Sequence, residues 1–140
     1  MRYASADAVF SIKEIDLGMV ADVGTLQRLP HLIGQGKTRE LAFTGRHVDA
    51  AEAERIGLLN QIFDSNSALT VTVRELAKRI AAKSPLAIRG LKEVINYSRD
   101  HSVADGLNYV ASWNAGMLLS ADLNECIAAQ RERRITKFND

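Results

Sequence analysis

The sequence is poor in residues that cross-link or interrupt a chain: one cysteine, Cys126, and two prolines, Pro30 and Pro85, in 140 residues. A single thiol excludes an internal disulfide framework and any thiolate-rich metal site, and it suits a reducing compartment. Neither sign of charge is in excess. Lys+Arg 18 against Asp+Glu 17 gives a formal charge of +1, which removes the usual electrostatic argument for a nucleic-acid or acidic-membrane partner. No apolar run reaches the roughly 18 residues of a membrane-spanning helix, because charges interrupt every hydrophobic stretch. The stretch from Met1 to Asp7 has no apolar signal core, and the chain holds no internal repeat or low-complexity tract. What is present is ordinary globular composition, 46% hydrophobic and 25% charged. That amounts to roughly one domain, able to bury about two thirds of its unfolded surface.

The pattern along the chain is α/β at first and helical afterwards. Phe10, Ile12 and Glu14 alternate at period 2 within Ala8 to Ile15, which predicts a strand that Leu17-Gly18 ends. Val23, Leu26, Leu29 and Ile33 predict a helix from Asp22 to Ile33 with Asp22 as its N-cap. Gly34, Gly36 and Lys37 read as a loop, Thr38 to Phe43 as a short helix closed by Gly45, and Ala50 to Arg55 as another. Asp49 caps that second helix, and Gly57 sits where a left-handed glycine belongs. Leu58 to Phe63 is a strand before the polar loop Asp64 to Ser67. Beyond it come the stripes Leu69/Val73/Leu76/Ala77/Ile80, Ile88/Leu91/Val94/Ile95, Leu107/Val110/Ala111/Asn114/Met117 and Leu123/Cys126/Ile127. Ser84-Pro85, Ser102 with Asp105, and Ser120 supply helix starts. So little sheet does not close an ordinary α/β domain.

Candidate chemistry is sparse. Gly34-Gln35-Gly36-Lys37-Thr38 has the tail of a phosphate loop, but the glycine required five residues before Gly36 is His31 and no strand precedes it. A plain loop lysine is the better reading. His31, His47 and His101 are scattered without metal-ligand spacing, so no metal is expected. Cys126 reads as a buried structural thiol on an apolar helix face. Glu14 is more informative. A carboxylate on the same strand face as Phe10 and Ile12 would have its pKa raised toward the range useful for acid–base work. Asp22, eight residues on, could face the same cleft, and two carboxylates there could trade a proton between two substrate atoms. Equally, Glu14 could be an exposed strand end and Asp22 a plain cap.

Three segments then carry a resemblance. Ser11-Ile-Lys-Glu14-Ile-Asp-Leu-Gly18, Thr25-Leu-Gln-Arg-Leu-Pro30 and Thr44-Gly-Arg-His-Val-Asp-Ala-Ala-Glu52-Ala-Glu-Arg-Ile-Gly57-Leu-Leu-Asn60 resemble the crotonase (enoyl-CoA hydratase/isomerase) superfamily, in that order and spacing. Within it the likeness is strongest to the dienoyl-CoA isomerase branch, on Glu14 to Pro30 and on Ser98 to Asn114. Hydratases of the superfamily keep the glutamate that matches Glu14 but place a glycine where Asp22 stands.

The resemblance implies a fold class of α/β, as the C-terminal portion of a crotonase (ClpP-like) fold. Residues 1–67 would be the back part of the catalytic core, and 68–140 a helical region for oligomerisation and closure of the CoA site. It implies isomerisation of 3,5-dienoyl-CoA to 2,4-dienoyl-CoA in fatty-acid β-oxidation, with Glu14 and Asp22 catalytic and no cofactor, the CoA thioester being substrate. Arg133, Arg134 and Lys137 are candidates for the CoA moiety. The expected partners are the acyl-CoA and further copies in a trimer or a hexamer built as a dimer of trimers, with neither nucleic acid nor membrane. The expected site is mitochondrial or peroxisomal, although Phe138-Asn139-Asp140 is not a Ser-Lys-Leu address. The family's oxyanion hole, glycine-rich turn, most CoA contacts and a third active-site aspartate lie upstream of the region matched. The chain alone is therefore expected to be inactive or nearly so. Two alternatives stay open: a hydratase-like enzyme using Glu14, and a non-catalytic oligomerisation module.

Overall fold

A computed structural model describes residues 1–138; Asn139 and Asp140, part of the tail considered as a targeting address, lie outside the described residues. The chain forms two compact units, Met1–Arg74 and the part from Glu75 onward. Helices dominate, with a few short strands and no closed barrel, as the α/β crotonase-type expectation requires.

The first unit holds two small sheets. Strand β1, Tyr3–Ser5, pairs in parallel with β4, Gln61–Phe63, in the register Ala4 to Ile62. Strand β2, Val9–Phe10, pairs antiparallel with β3, Val48–Asp49. Between them run α1 (Thr25–Arg28), α2 (Pro30–Ile33), α3 (Gln35–Thr44) and α4 (Ala50–Arg55). The core is built of small and medium residues. Ala4, Leu41, Val48, Ala53 and Leu59 are buried, with Phe10, Ile12, Ile33 and Ile62 packed against them. Asp49 caps α4 as expected, its Oδ1 accepting from the Glu52 N–H at 2.7 Å.

Four local expectations are corrected. The strand from Ala8 to Ile15 ends at Phe10, because β3 offers only two partner residues and no ladder continues beyond them. Lys13–Leu17 instead form a 3-10 turn closed by Gly18 at φ 69°. The single helix from Asp22 to Ile33 is two short turns that meet at Leu29. Pro30 has no N–H to continue the ladder, and Gly24 rather than Asp22 precedes the first turn. The expected loop at Gly36 and Lys37 is the opening turn of α3, and the strand expected from Leu58 is confined to Gln61–Phe63.

Helix α5, Asn66–Ala81, is followed by α6 (Pro85–Asp100), α7 (Val103–Met117) and α8 (Ala121–Glu132). Their starts match the sequence expectation. Ser84 and Ser120 accept from the amides of Ala87 and Leu123, and Ser102 with Asp105 forms a complete capping box. Ser84 also donates to Asp122 at 2.5 Å, tying the N-termini of α6 and α8 together. No helix among the described residues is long and apolar enough to cross a membrane.

Helices α6 and α7 approach each other through glycines. A Cβ built on Gly90 would lie 2.4 Å from the indole nitrogen of Trp113, and one on Gly106 would lie 2.7 Å from the Ser98 hydroxyl. Replacing Gly90 by alanine therefore forces the helices apart and is expected to destabilise the protein by about 1–3 kcal/mol. Gly116, also in α7, has nothing within 4 Å of such a Cβ. Gly116→Ala is expected to be neutral or to stabilise by up to about 1 kcal/mol through helix propensity. Opposite shifts in the urea unfolding midpoint of the two variants test this packing.

Candidate active site

The two carboxylates singled out by sequence both lie on the segment that joins β2 to α1. Ile12 is extended, and the chain then tightens into the Lys13–Leu17 turn. The turn is fixed from its far side by backbone: Gly18 N–H donates to Ile15 O at 3.1 Å and Met19 N–H donates to Glu14 O at 2.9 Å. Lys13 pairs with Asp16 across it at 2.8 Å. Glu14 is half-buried and Asp22 exposed. Among the described residues neither carboxylate is taken up by a hydrogen bond or ion pair. Buried Ala21 and Leu29 anchor the segment around Asp22.

The surface between the two carboxylates is apolar and uncovered. Leu17 is 73% exposed, Met19 53%, Val20 75% and Val23 76%. Three of these lie between Glu14 and Asp22 and Val23 directly follows Asp22, so the loop gathers exposed apolar residues where scattered single ones are the norm. The face shared with Phe10 and Ile12 that the period-2 pattern predicted for Glu14 does not form, since Glu14 belongs to the turn.

Sequence reasoning missed the ion cluster beside this segment. Arg46, on the loop between α3 and β3, donates to both carboxylate oxygens of Glu52 at 2.7 and 2.8 Å and to Glu40 at 2.6 and 2.8 Å. Lys37 pairs with Glu40 at 2.6 Å and lies 3.8 Å from Glu52, so the lysine of the phosphate-loop-like run serves carboxylates. Hydrogen bonding to Arg46 first, and then its charge and those of Lys37 and Arg55, brings the Glu52 carboxyl from 4.5 to about 2. Glu40 is lowered by Lys37 and then Arg46, and Arg46 itself is raised. No spacing rule flags this cluster, because Arg46 sits outside any helix.

In the second unit, Arg134 is taken up by carboxylates. It reaches Glu125 at 2.5 and 2.9 Å and Glu132 at 2.6 Å, and the backbone N–H of Lys137 adds a 2.7 Å bond to Glu125. These bonds, the Arg134 one first, bring Glu125 to about 2. Arg133 ends α8 in the left-handed conformation at φ 54°, and its side chain and that of Lys137 are exposed. Helices α6, α7 and α8 also line an open apolar hollow of about 440 Å³ whose wall includes Leu91, Val94, Trp113, Met117, Leu123 and Cys126. The Cys126 thiol is free and half-buried there, less enclosed than expected. His101 lies at the end of α6, its ring stacked on Tyr97 at 3.7 Å.

The depressed carboxyl of Glu52 sets a pH dependence with a definite sign. Its folded pKa lies below its ordinary value, so its contribution to stability is full above about pH 4.5 and is lost as the pH falls toward about 2. Glu52→Gln should lower the unfolding midpoint at pH 7 and flatten its decline below pH 4.5. Urea titrations of both forms across that range check it. An equally steep decline in the variant would remove Glu52 as the cause.

The family model described as "Enoyl-CoA hydratase/isomerase" matches residues 1–140. The peroxisomal delta(3,5)-delta(2,4)-dienoyl-CoA isomerase of Arabidopsis thaliana is 50% identical over 138 residues, covering 99% of this chain and 50% of that protein. The mitochondrial enzyme of the same name from Homo sapiens is 47% identical, over 98% of this chain and 42% of its own length. Among solved structures, an enoyl-CoA hydratase from Bacillus anthracis superposes with a TM-score of 0.93 at 31% identity, over 99% of this chain and 53% of that one. The chain thus spans about half the length of the curated relatives it matches.

Proposed function

The chain belongs to the enoyl-CoA hydratase/isomerase family, and on that premise we propose that it carries the proton-transfer carboxylates of a dienoyl-CoA isomerase. The observation that carries the reading is the pair Glu14 and Asp22, both free of partners on one exposed apolar segment. An acyl chain laid along Leu17, Met19, Val20 and Val23 would find apolar surface with a carboxylate toward either end. A hydratase needs water delivered across a double bond. A dienoyl shift needs no added water, but two proton sites and donors for the thioester oxygen.

The electron bookkeeping is closed without a redox partner. Glu14 removes a proton from C2 of the 3,5-dienoyl thioester, and the C2–H pair becomes the C2–C3 double bond. The C3–C4 pair moves to C4–C5, and the C5–C6 pair takes a proton at C6 from Asp22. One proton leaves and one arrives, each within reach of a carboxylate. The negative charge passes through the thioester oxygen during the shift. The backbone donors that hold such an oxyanion, by the family resemblance, belong to sequence upstream of the matched region.

The resemblance and the structure support three further parts of the reading. The helices of the second unit leave Ile95 67%, Leu107 63% and Leu119 93% exposed, which favours covering by further copies in a trimer or a dimer of trimers. Arg133 and Lys137 are available for the phosphates of CoA, whereas Arg134 would have to give up Glu125. Relatives named peroxisomal and mitochondrial support a reading in which the protein works in β-oxidation in one of those organelles.

In an active protein containing this chain, Asp22→Asn should lower 3,5-to-2,4 isomerisation by about 100-fold or more, read as the absorbance of the conjugated product. Full activity in that variant would sink the assignment. The 140-residue chain assayed alone should run at least about 100-fold slower than a longer form that adds the oxyanion donors. Equal rates would show that those donors come from elsewhere in this chain.

A further inference from the structure

We propose that Gly45 is a positioning residue for Glu14, acting through the 3-10 turn that carries it; this rests on the reading of Glu14 as a proton-transfer group. Gly45 closes α3 at φ 57° and is buried. Its N–H donates to the carbonyl of Leu41 at 3.0 Å, and Leu41 is a core residue with 4% exposure. Its own carbonyl faces the turn. That oxygen accepts from the Ser11 hydroxyl at 2.8 Å and from the Lys13 ammonium at 3.3 Å. The chain entering the Glu14 turn is therefore pinned to α3 through one carbonyl, while Met19 N–H pins the Glu14 carbonyl from the other side at 2.9 Å.

The missing side chain of Gly45 is as important as its carbonyl. A Cβ there would lie 2.9 Å from Cγ2 of Ile15 and 3.1 Å from Oδ1 of Asp16, the two residues that follow Glu14 in the turn. The first distance is inside van der Waals contact with the branched side chain of Ile15, so a larger residue must push that side chain, and through it the turn, away from α3. The next residue, Arg46, is held by Glu40 and Glu52, so the α3 side of this contact has little freedom to yield. The turn must move instead, and Glu14 moves with it. Displacement of a catalytic group by about 1 Å costs on the order of 100-fold in rate.

The test compares Gly45→Ala and Ser11→Ala with Gly57→Ala in the active protein containing this chain. Gly57 has φ 81°, the same left-handed backbone strain, but its nearest neighbour is the Leu32 carbonyl at 3.4 Å, away from the turn. Two readouts are taken: kcat and KM for a 3,5-dienoyl-CoA, and amide exchange at Gly18 and Met19, whose N–H groups close the turn. Gly45→Ala and Ser11→Ala should each lower kcat by about tenfold or more, leave KM within about twofold and speed exchange at both amides by about tenfold. Gly57→Ala should leave kcat and both amides within about twofold while lowering stability. Ser11→Ala retains the Gly45 backbone and keeps the test open should Gly45→Ala fail to fold. Unchanged exchange in the variants overturns the contact as a clamp. Faster exchange with unchanged kcat overturns its role in positioning. If Glu14→Gln is itself fully active while exchange still accelerates in Gly45→Ala, the failure lies with the reading of Glu14 and the clamp stands as a structural one.

Discussion

One guanidinium organises the first unit. Arg46 bonds two carboxylates that belong to different helices, Glu40 in α3 and Glu52 in α4, and also the carbonyl of its neighbour His47 at 3.0 Å. Arginine suits the place because its planar fork can serve both oxygens of Glu52 and still reach Glu40. The loop it spans is short and would otherwise leave the end of α3 free to fray. With that end held, the carbonyl of Gly45 becomes a fixed acceptor, and the segment bearing Glu14 and Asp22 is placed against a rigid support. Preorganisation of this kind, with the supporting shell locked before substrate arrives, separates a site from a collection of suitable residues.

The two units manage burial differently. The first covers a core of alanines, Leu41, Val48 and Leu59 and leaves Leu17, Met19, Val20 and Val23 exposed along the segment that carries the carboxylates. Among the described residues of the second unit the buried ones are Gly90, Gly106 and Ala129, all small, while Leu91, Ile95, Leu107 and Ile127 face outward. Close helix approach through glycine and alanine gives good contact but little apolar area removed from water, at roughly 25 cal/mol per Å². Across the α6–α7 contact Tyr97 stacks on Tyr109 at 4.3 Å, and within α7 Tyr109 meets Trp113 edge-on at 6.4 Å. Outward apolar faces on such a scaffold are what assembly would cover.

Helix starts were legible in the sequence because capping is local. Asp49, Ser84, Ser102 and Ser120 each act within three residues of themselves, and a serine or aspartate before a helix-forming run states its role in place. Strand extent was not, because a strand exists only where a partner runs beside it. The alternation of Phe10, Ile12 and Glu14 was real, yet β3 is two residues long, so the pattern had nothing to pair with after Phe10. Pro30 and Gly24 are the signals that break the stretch from Asp22 into two turns, against an apolar spacing that fits one helix. At the candidate site, Glu14 and Asp22 were accessible to sequence through motif resemblance. Ser11, Gly45 and Arg46 act through contacts 32 to 34 positions away or across a loop, which no periodicity records.

The parallel pairing of β1 with β4 has a consequence for the order in which the unit is made. Tyr3 meets Gln61 and Arg2 meets Asn60 across 58 positions, so the first strand emerges from the ribosome long before its partner. At about 5–20 residues per second, it waits on the order of seconds with an open edge. During that interval α3 and α4 can already close on each other through Arg46, since their contacts are local. Pairing of β1 with β4 therefore has to await closure of a long loop, a contact of the kind that slows folding.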